Sequence, residues 1–453
     1  MNKGSIFDGK SGVLLIIATG LVIRESFASF TGHPFDFELW IRLGYNTSLG
    51  HDPYAATNPI SGLSMPGAVK MKWLGYPPTW AFLQAALYKG YILLGISNRF
   101  LYYFVIKQPM IIGDVCCAFL LFKVLGELVN KRAGTLALAF WMFCPFTIII
   151  SALWGMFDQI ILVLALISIF LIYETKKSAL LEALGFLLKV IPVIYLPLLA
   201  FSQKSKKKVV EYLLIAISAS LFFSFAPYLE FSSWNVDSMI GVLADVSGKI
   251  SDSMSPWTFL NAFAESTTFS AGQIIAVRLL GYIWVPALLV GSYFCIKFIR
   301  RSLDDILATR KNLLISFLFI TMIFFLTKST INEQYVIYFL GFGLVDYFAF
   351  NSKTRRRLFH GIWISSLAFL LANYSLLTTF FEPLSTSYLQ VSFNLTQGLA
   401  GILRSDAMQV ASFVFSALSL FYLWSLYSEM NKNVAFKERP GPRTESGSIL
   451  RSP

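Results

Sequence analysis

Residues 133–173 run for 41 positions with a single charge, Asp158. At 1.5 Å per residue a helix of that length reaches roughly 60 Å, twice the hydrocarbon thickness of about 30 Å. The stretch is therefore expected to cross a bilayer twice. Its turn-like point is Ala152-Leu153-Trp154-Gly155-Met156-Phe157-Asp158, the tip of a hairpin. Cations flank both ends, Lys131-Arg132 on one side and Lys176-Lys177 on the other. Basic loops are retained in the cytoplasm, so Asp158 is expected on the opposite, outer face.

The rest of the chain repeats this grammar. It is 56% apolar and only 14% charged, against a globular norm of about 25% charged. The net charge of +12 sits in short patches between apolar runs, such as Lys204 to Lys208, Arg300-Arg301, Arg310-Lys311 and Arg355 to Arg357. Such patches set topology and attract anionic lipid heads; they do not point to nucleic acid. The four cysteines all lie within apolar runs, which implies neither a disulfide framework nor a zinc site. The expected fold is an all-α polytopic membrane protein with about 12 membrane segments, two of them short, and a large first outer loop. Residues 1–436 form one transmembrane domain, and 437–453 a polar, disordered cytoplasmic tail. Residues 178–203 carry lysines at both ends. Charge bookkeeping makes them a hairpin, with arms too short to span and Lys189-Val190-Ile191-Pro192 at its tip.

The first outer loop, 31–99, is the longest polar interruption of the first half. It holds His33, Asp36, Glu38, His51 and Asp52 among six prolines and several glycines, a composition that favours a folded loop. Residues 78–96 are apolar but broken by Lys89 and Gly90, and are expected to lie on the outer membrane surface as an interfacial helix. Long loops in compact proteins are usually functional. Charge counting gathers Asp36, Asp52, Asp158, Lys328 and Glu333 on one face, with Lys189 reaching toward it and Lys107 and Asp114 nearby. Gln159, Gln334 and Tyr335 accompany these charges. Carboxylates suit the deprotonation of a hydroxyl acceptor, and lysines suit a leaving phosphate.

A set of ordered motifs resembles the GT-C superfamily of polytopic glycosyltransferases. They are Asp36, then Gly50-His51-Asp52-Pro53-Tyr54, Tyr76-Pro77-Pro78-Thr79-Trp80, Gly113-Asp114-Val115, Cys144-Pro145, Trp154 to Asp158, Lys189 to Pro192, and Asn332-Glu333-Gln334-Tyr335. Within the superfamily the chain looks most like the first-mannose transferases of GPI-anchor assembly and their archaeal and bacterial relatives. The resemblance covers about residues 30–345. It implies transfer of a hexose, mannose first, from a polyprenyl- or dolichyl-phosphate carrier to a lipid-linked glycan or glycolipid, on the extracytoplasmic or lumenal face. It implies that Asp36 is the catalytic base or contacts the acceptor, with Glu38 as its neighbouring acid. Asp52, Asp114, Asp158, Lys189, Glu333, Gln334 and Tyr335 of these motifs, together with Gln159 and Lys328 outside them, are the expected substrate-binding residues. No cofactor is assigned, and a divalent metal stays open. The partners are the lipid-phosphate-sugar donor, the acceptor and membrane lipids.

Plainer readings stand beside these. Asp36 could cap the helix that follows, Asp52 could hold an Asp-Pro turn, and Lys189 could snorkel. Lys328 and Glu333 could pair at a helix end. His33 and His51 read as loop histidines rather than metal ligands. A lipid or glycolipid transporter is the rival from another class, although no internal repeat suggests one built from halves. A non-catalytic subunit is the second rival.

Overall fold

The computed structural model describes residues 10–71, 75–231, 233–241, 253–258, 281–350, 352–396 and 398–437. The expected tail, apart from Lys437, lies outside the described residues, as does part of the apolar run before Ile299. Among the described residues the chain is helical and has no strand. A lone bridge between Thr57 and Met71 closes the first loop on itself.

The helices are α1 (Lys10–Ala28), α2 (Asp36–Ser48), α3 (Thr79–Leu93), α4 (Arg99–Leu128), α5 (Lys131–Phe143) and α6 (Pro145–Ile148). There follow α7 (Asp158–Phe170), α8 (Thr175–Leu188), α9 (Leu196–Phe201), α10 (Lys206–Glu230), α11 (Trp284–Ile299) and α12 (Ile306–Thr327). The last four are α13 (Val336–Ala349), α14 (Lys353–Asn373), α15 (Thr386–Thr396) and α16 (Gly398–Lys437). Short polar residues start the long ones. Asn98, Asn130, Ser205, Asp305 and Ser352 each accept a backbone N–H in the first turn of α4, α5, α10, α12 and α14, satisfying donors that have no partner within the helix.

Among the described residues five helices are long and apolar enough to cross a membrane, or up to seven if each bent pair is one span. That is fewer than the expected 12 segments. The shortfall comes from short elements: α7 has 13 residues and α13 has 14, about 20 Å each. From Val336 to Asp346 every residue of α13 is buried, packed among α4, α7, α12 and α14. A segment enclosed by other helices has no need to match the bilayer.

Hydrogen bonds place one end of the first expected hairpin and close the second. The Tyr173 hydroxyl donates to the Leu303 carbonyl and Arg310 to the Phe170 carbonyl, each at 2.6 Å. The far end of α7 therefore lies among the basic loops, and Asp158 lies at the other end. Thr175 Oγ1 donates to Gln203 Oε1 at 2.8 Å, so the segment between them leaves and returns to one place. Lys189 stands at its turn.

Apolar burial gives little drive between helices in lipid, because acyl tails are as apolar as leucine; close packing and polar contacts hold the bundle. Arg24 of α1 donates to Asp114 of α4 at 2.7 Å and to the Met142 carbonyl at 2.8 Å. Arg355 Nε of α14 donates to both Asp346 oxygens of α13, at 3.0 and 3.1 Å, and Tyr422 of α16 donates to the same carboxylate at 2.6 Å. Removing one partner of such a buried pair costs about 3–5 kcal/mol.

Candidate functional site

The site starts from a distorted helix. Pro145 opens α6, which widens into a π-helical turn, Ile149–Trp154, and stops at Gly155 with φ of 87°. A Cβ at Gly155 would stand 2.7 Å from the Phe37 ring, so the left-handed backbone and the close approach both require glycine. The last carbonyls of a helix lack partners within it. Lys107 of α4 supplies them, its Nζ donating to Ala152 O at 2.5 Å, Leu153 O at 3.3 Å and Thr31 O at 2.6 Å. Trp40 Nε1 donates to Gly155 O at 3.1 Å. Trp80 stacks on Phe157 with centroids 3.7 Å apart.

This turn presents Trp154 to Asp36, whose Oδ2 accepts the indole N–H at 2.9 Å. Asp36 is the first residue of α2, yet it is not the cap. His33 Nδ1 accepts the N–H groups of Phe35 at 3.2 Å and Asp36 at 3.0 Å. Accepting both fixes His33 as the neutral tautomer with its proton on Nε2. Burial pushes the His33 pKa below 6.5, against the pull of Asp36. The imidazole stacks on Trp154 at 4.8 Å and meets the Tyr374 ring edge-on at 5.2 Å. The Asp36 side chain stays 15% exposed, within reach of a substrate.

Tyr374 is held by strain. Ser375, Leu376 and Leu377 have φ of 46°, 55° and 71°, each costing about 1–3 kcal/mol for a non-glycine residue. The turn they make brings the Phe380 carbonyl to Gly32 N at 2.8 Å. Backbone strain of this kind collects at functional sites.

The other half of the site is an ion pair. Lys189 Nζ lies 2.8 and 2.9 Å from the two Asp158 oxygens, and the Tyr338 hydroxyl donates to Asp158 Oδ1 at 3.0 Å. The rings of Tyr76, Phe157 and Tyr335 surround the ammonium at 5.4, 5.4 and 5.0 Å, a cation–π box. Tyr76 and Tyr335 join the halves. Burial raises both phenols, and both Asp36 and Asp158 add to the rise. Glu333 belongs here too: burial lifts its pKa, Asn373 Nδ2 opposes this by donating to Oε1 at 2.8 Å, and Asp36 adds to the rise.

The structure thus brings together Asp36, Asp158, Lys189, Glu333 and Tyr335. Gln159 and Gln334 lie buried beside them; both Gln159 amide atoms and Gln334 Oε1 have no hydrogen-bond partner among the described residues.

Three expected substrate-binding residues, Glu38, Asp52 and Asp114, are committed to other contacts. Glu38 is two positions from Asp36, so it faces away around the helix. Its Oε1 accepts Arg42 Nε at 2.6 Å and its Oε2 accepts Met65 N at 2.8 Å, pinning the outer loop to α2. Asp52 holds a turn through Tyr54 N at 2.9 Å and receives Asn235 N at 3.0 Å. Asp114 is buried between Arg24 and Trp141 Nε1. Lys328 follows α12 with Nζ 5.6 Å above the Trp284 ring, and burial lowers its pKa to about 8. Among the described residues no group of three or more His, Cys, Asp or Glu is gathered as a metal site would require.

Sequence reasoning missed His33, Trp154, Tyr76, Tyr338 and Tyr374 as site residues. Trp154 and Tyr76 stand inside motifs already singled out, and their signal was aromatic rings beside the acids. Tyr338 and Tyr374 lie in apolar runs and gave none. The sequence matches no protein-family model and no curated protein. The long apolar helices are compatible with an integral membrane protein.

Proposed function

We propose that this chain is a membrane glycosyltransferase of the GT-C type. It would take a hexose, mannose first, from a polyprenyl- or dolichyl-phosphate carrier and pass it to a lipid-linked glycan or glycolipid on the outer face. The observation that carries the reading is that Tyr76 and Tyr335, whose rings box the Lys189 ammonium, also lie in the field of a partly exposed carboxylate, Asp36.

In this reading Asp36 takes the proton of the acceptor hydroxyl as its oxygen attacks the anomeric carbon. The bond from that carbon to the carrier phosphate breaks, and the electron pair leaves with the phosphate. Trp154 and His33 hold Asp36 in place. Lys189 has three N–H donors and points them at Asp158 and into the ring of aromatic faces. Sharing one with the leaving phosphate would stabilise the charge that develops.

The test is incubation of purified protein with polyprenyl-phosphate mannose or glucose and a lipid-extract acceptor, read by mass. Asp36→Asn keeps shape and removes the base, and is expected to lower transfer by about 10²–10⁴-fold. A transporter would move lipid between leaflets with no change of mass. Near-normal turnover by a well-folded Asp36→Asn protein would sink the assignment.

A further inference from the structure

Glu182, midway along α8, is an acid without a partner. It is 4% exposed, and its Oε1 makes no hydrogen bond among the described residues. Glu38, Asp114, Asp158, Glu333 and Asp346 are as buried, yet each accepts a donor. The phenols nearest Glu182 are taken: Tyr195 shares a hydrogen bond with Thr321 Oγ1 at 2.8 Å, and Tyr212 donates to the Ser178 carbonyl at 3.3 Å. The lysines around α8 do not serve it either. Lys177 pairs with Glu174 at 2.6 Å, Lys176 is exposed, and Lys189 holds Asp158.

Glu182 lines a cavity of about 190 Å³ between α8, α9 and α10. Phe186, Val193, Leu196 and Ile217 give it apolar walls, and Ser220 is its other polar side chain. Val193, Ile217 and Leu221 are exposed, so the cavity opens where α10, long and apolar enough to span, meets lipid. Packing of α8 on α10 does not need the acid. Buried Ala179, Ala183 and Ala216 already allow the close approach that holds helices together in lipid. In either protonation state a carboxyl offers acceptor lone pairs, and those of Oε1 are unused. A ligand that fits must therefore bring a donor.

We propose that this cavity binds a lipid-soluble alcohol, its O–H donated to Glu182 and its chain laid along the apolar walls. No cation or N–H group of the lining would receive an anionic head. Depth decides between a hydroxyl and an ammonium. Thr175, at the start of α8, sits with Gln203 on the basic face, and Glu182 lies about 10 Å further along the helix. Carrying a charge to that depth costs far more than carrying a hydroxyl. The proposal is independent of glycosyl transfer.

The experiment measures binding of tritiated 1-dodecanol to the full-length protein in neutral detergent, with unlabelled competitors. Dodecyl methyl ether keeps the chain and the oxygen but has no O–H, and should compete at least about fivefold less well than dodecanol. Dodecylamine should compete no better than dodecanol. Glu182→Leu should bind dodecanol about fivefold more weakly and melt no lower than the parent, since it removes an unpartnered acid. Glu182→Gln keeps an acceptor oxygen and should stay within about twofold of the parent. Ser220→Leu, on the lipid-facing helix, should fill the cavity and abolish saturable binding. Equal competition by the ether, tighter competition by the amine, or undiminished binding to Glu182→Leu would overturn the proposal. A glutamine variant as weak as the leucine one would do so too, since charge rather than a hydrogen bond would then be recognised. The competitor series on the parent protein decides the matter even if a variant fails to fold, and binding that never saturates there would also overturn it.

Discussion

Replacing Lys107 by methionine asks what holds the distorted turn in place. The ammonium serves the Thr31, Ala152 and Leu153 carbonyls. Methionine keeps much of the stem and supplies no donor. Ala152 O keeps the Thr31 hydroxyl at 3.0 Å, whereas Thr31 O and Leu153 O lose the lysine. Each orphaned buried carbonyl costs about 1–3 kcal/mol, partly offset by no longer burying an ammonium. The net loss is about 2–4 kcal/mol. Unfolding entropy of about 2 cal/mol/K per residue gives this 453-residue chain about 1 kcal/mol/K. The melting temperature in detergent should therefore fall by about 2–4 °C. Transfer should fall further, by about tenfold or more, because Trp154 follows directly on Leu153 and holds Asp36. A melting curve within 1 °C of the parent, together with unchanged turnover, would refute the idea that the carbonyl cage positions the site.

Two more outcomes follow from buried charge. Lys189→Met leaves Asp158 unpaired, so it should destabilise by about 3–5 kcal/mol as well as impair transfer; adding Asp158→Asn should restore most of the melting temperature but not turnover, and a double variant no more stable than the single would argue against the pair. Burial, aided by Glu38, lifts the Glu382 pKa from 4.5 to about 7. A raised carboxyl favours the folded state while protonated, so its contribution is complete below about pH 4.5 and lost as pH rises through about 7. Glu382→Gln should therefore show a smaller fall in melting temperature between pH 5 and 8 than the parent; identical slopes would count against it.

Much of this was legible in sequence because charge bookkeeping needs no third dimension. Single charges in long apolar runs, and lysines at both ends of a run too short to cross twice, place Asp158 and Lys189 at turns. Their mutual contact across 31 positions was not legible, because nothing in either segment names the other. Arg24 and Asp114 are 90 positions apart, and the same silence made Asp114 look free. The roles of Asp36 and Glu38 are separable in the sequence itself. Glu38 and Arg42 stand four apart, a helix pair, and a two-residue step on a helix turns the side chains to nearly opposite faces. Helix length alone does not count segments, because the length needed to span applies to helices that meet lipid along their length, and α13 does not.

Burial and charge alone do not separate the residues proposed to work from the structural ones, since Asp114, Glu38, Asp158 and Lys189 are all buried and ionisable. Donor and acceptor accounting separates them better. Glu38 and Asp114 each place both oxygens on fixed protein donors, so a substrate could only compete with the fold. Asp36 commits Oδ2 to Trp154 and keeps an exposed edge. Lys189 spends its charge on Asp158 but is ringed by aromatic faces, which attract a cation without consuming its N–H groups. A cation held that way is fixed in position yet still able to donate, which is the condition a site must meet to stabilise charge that appears only as a bond breaks.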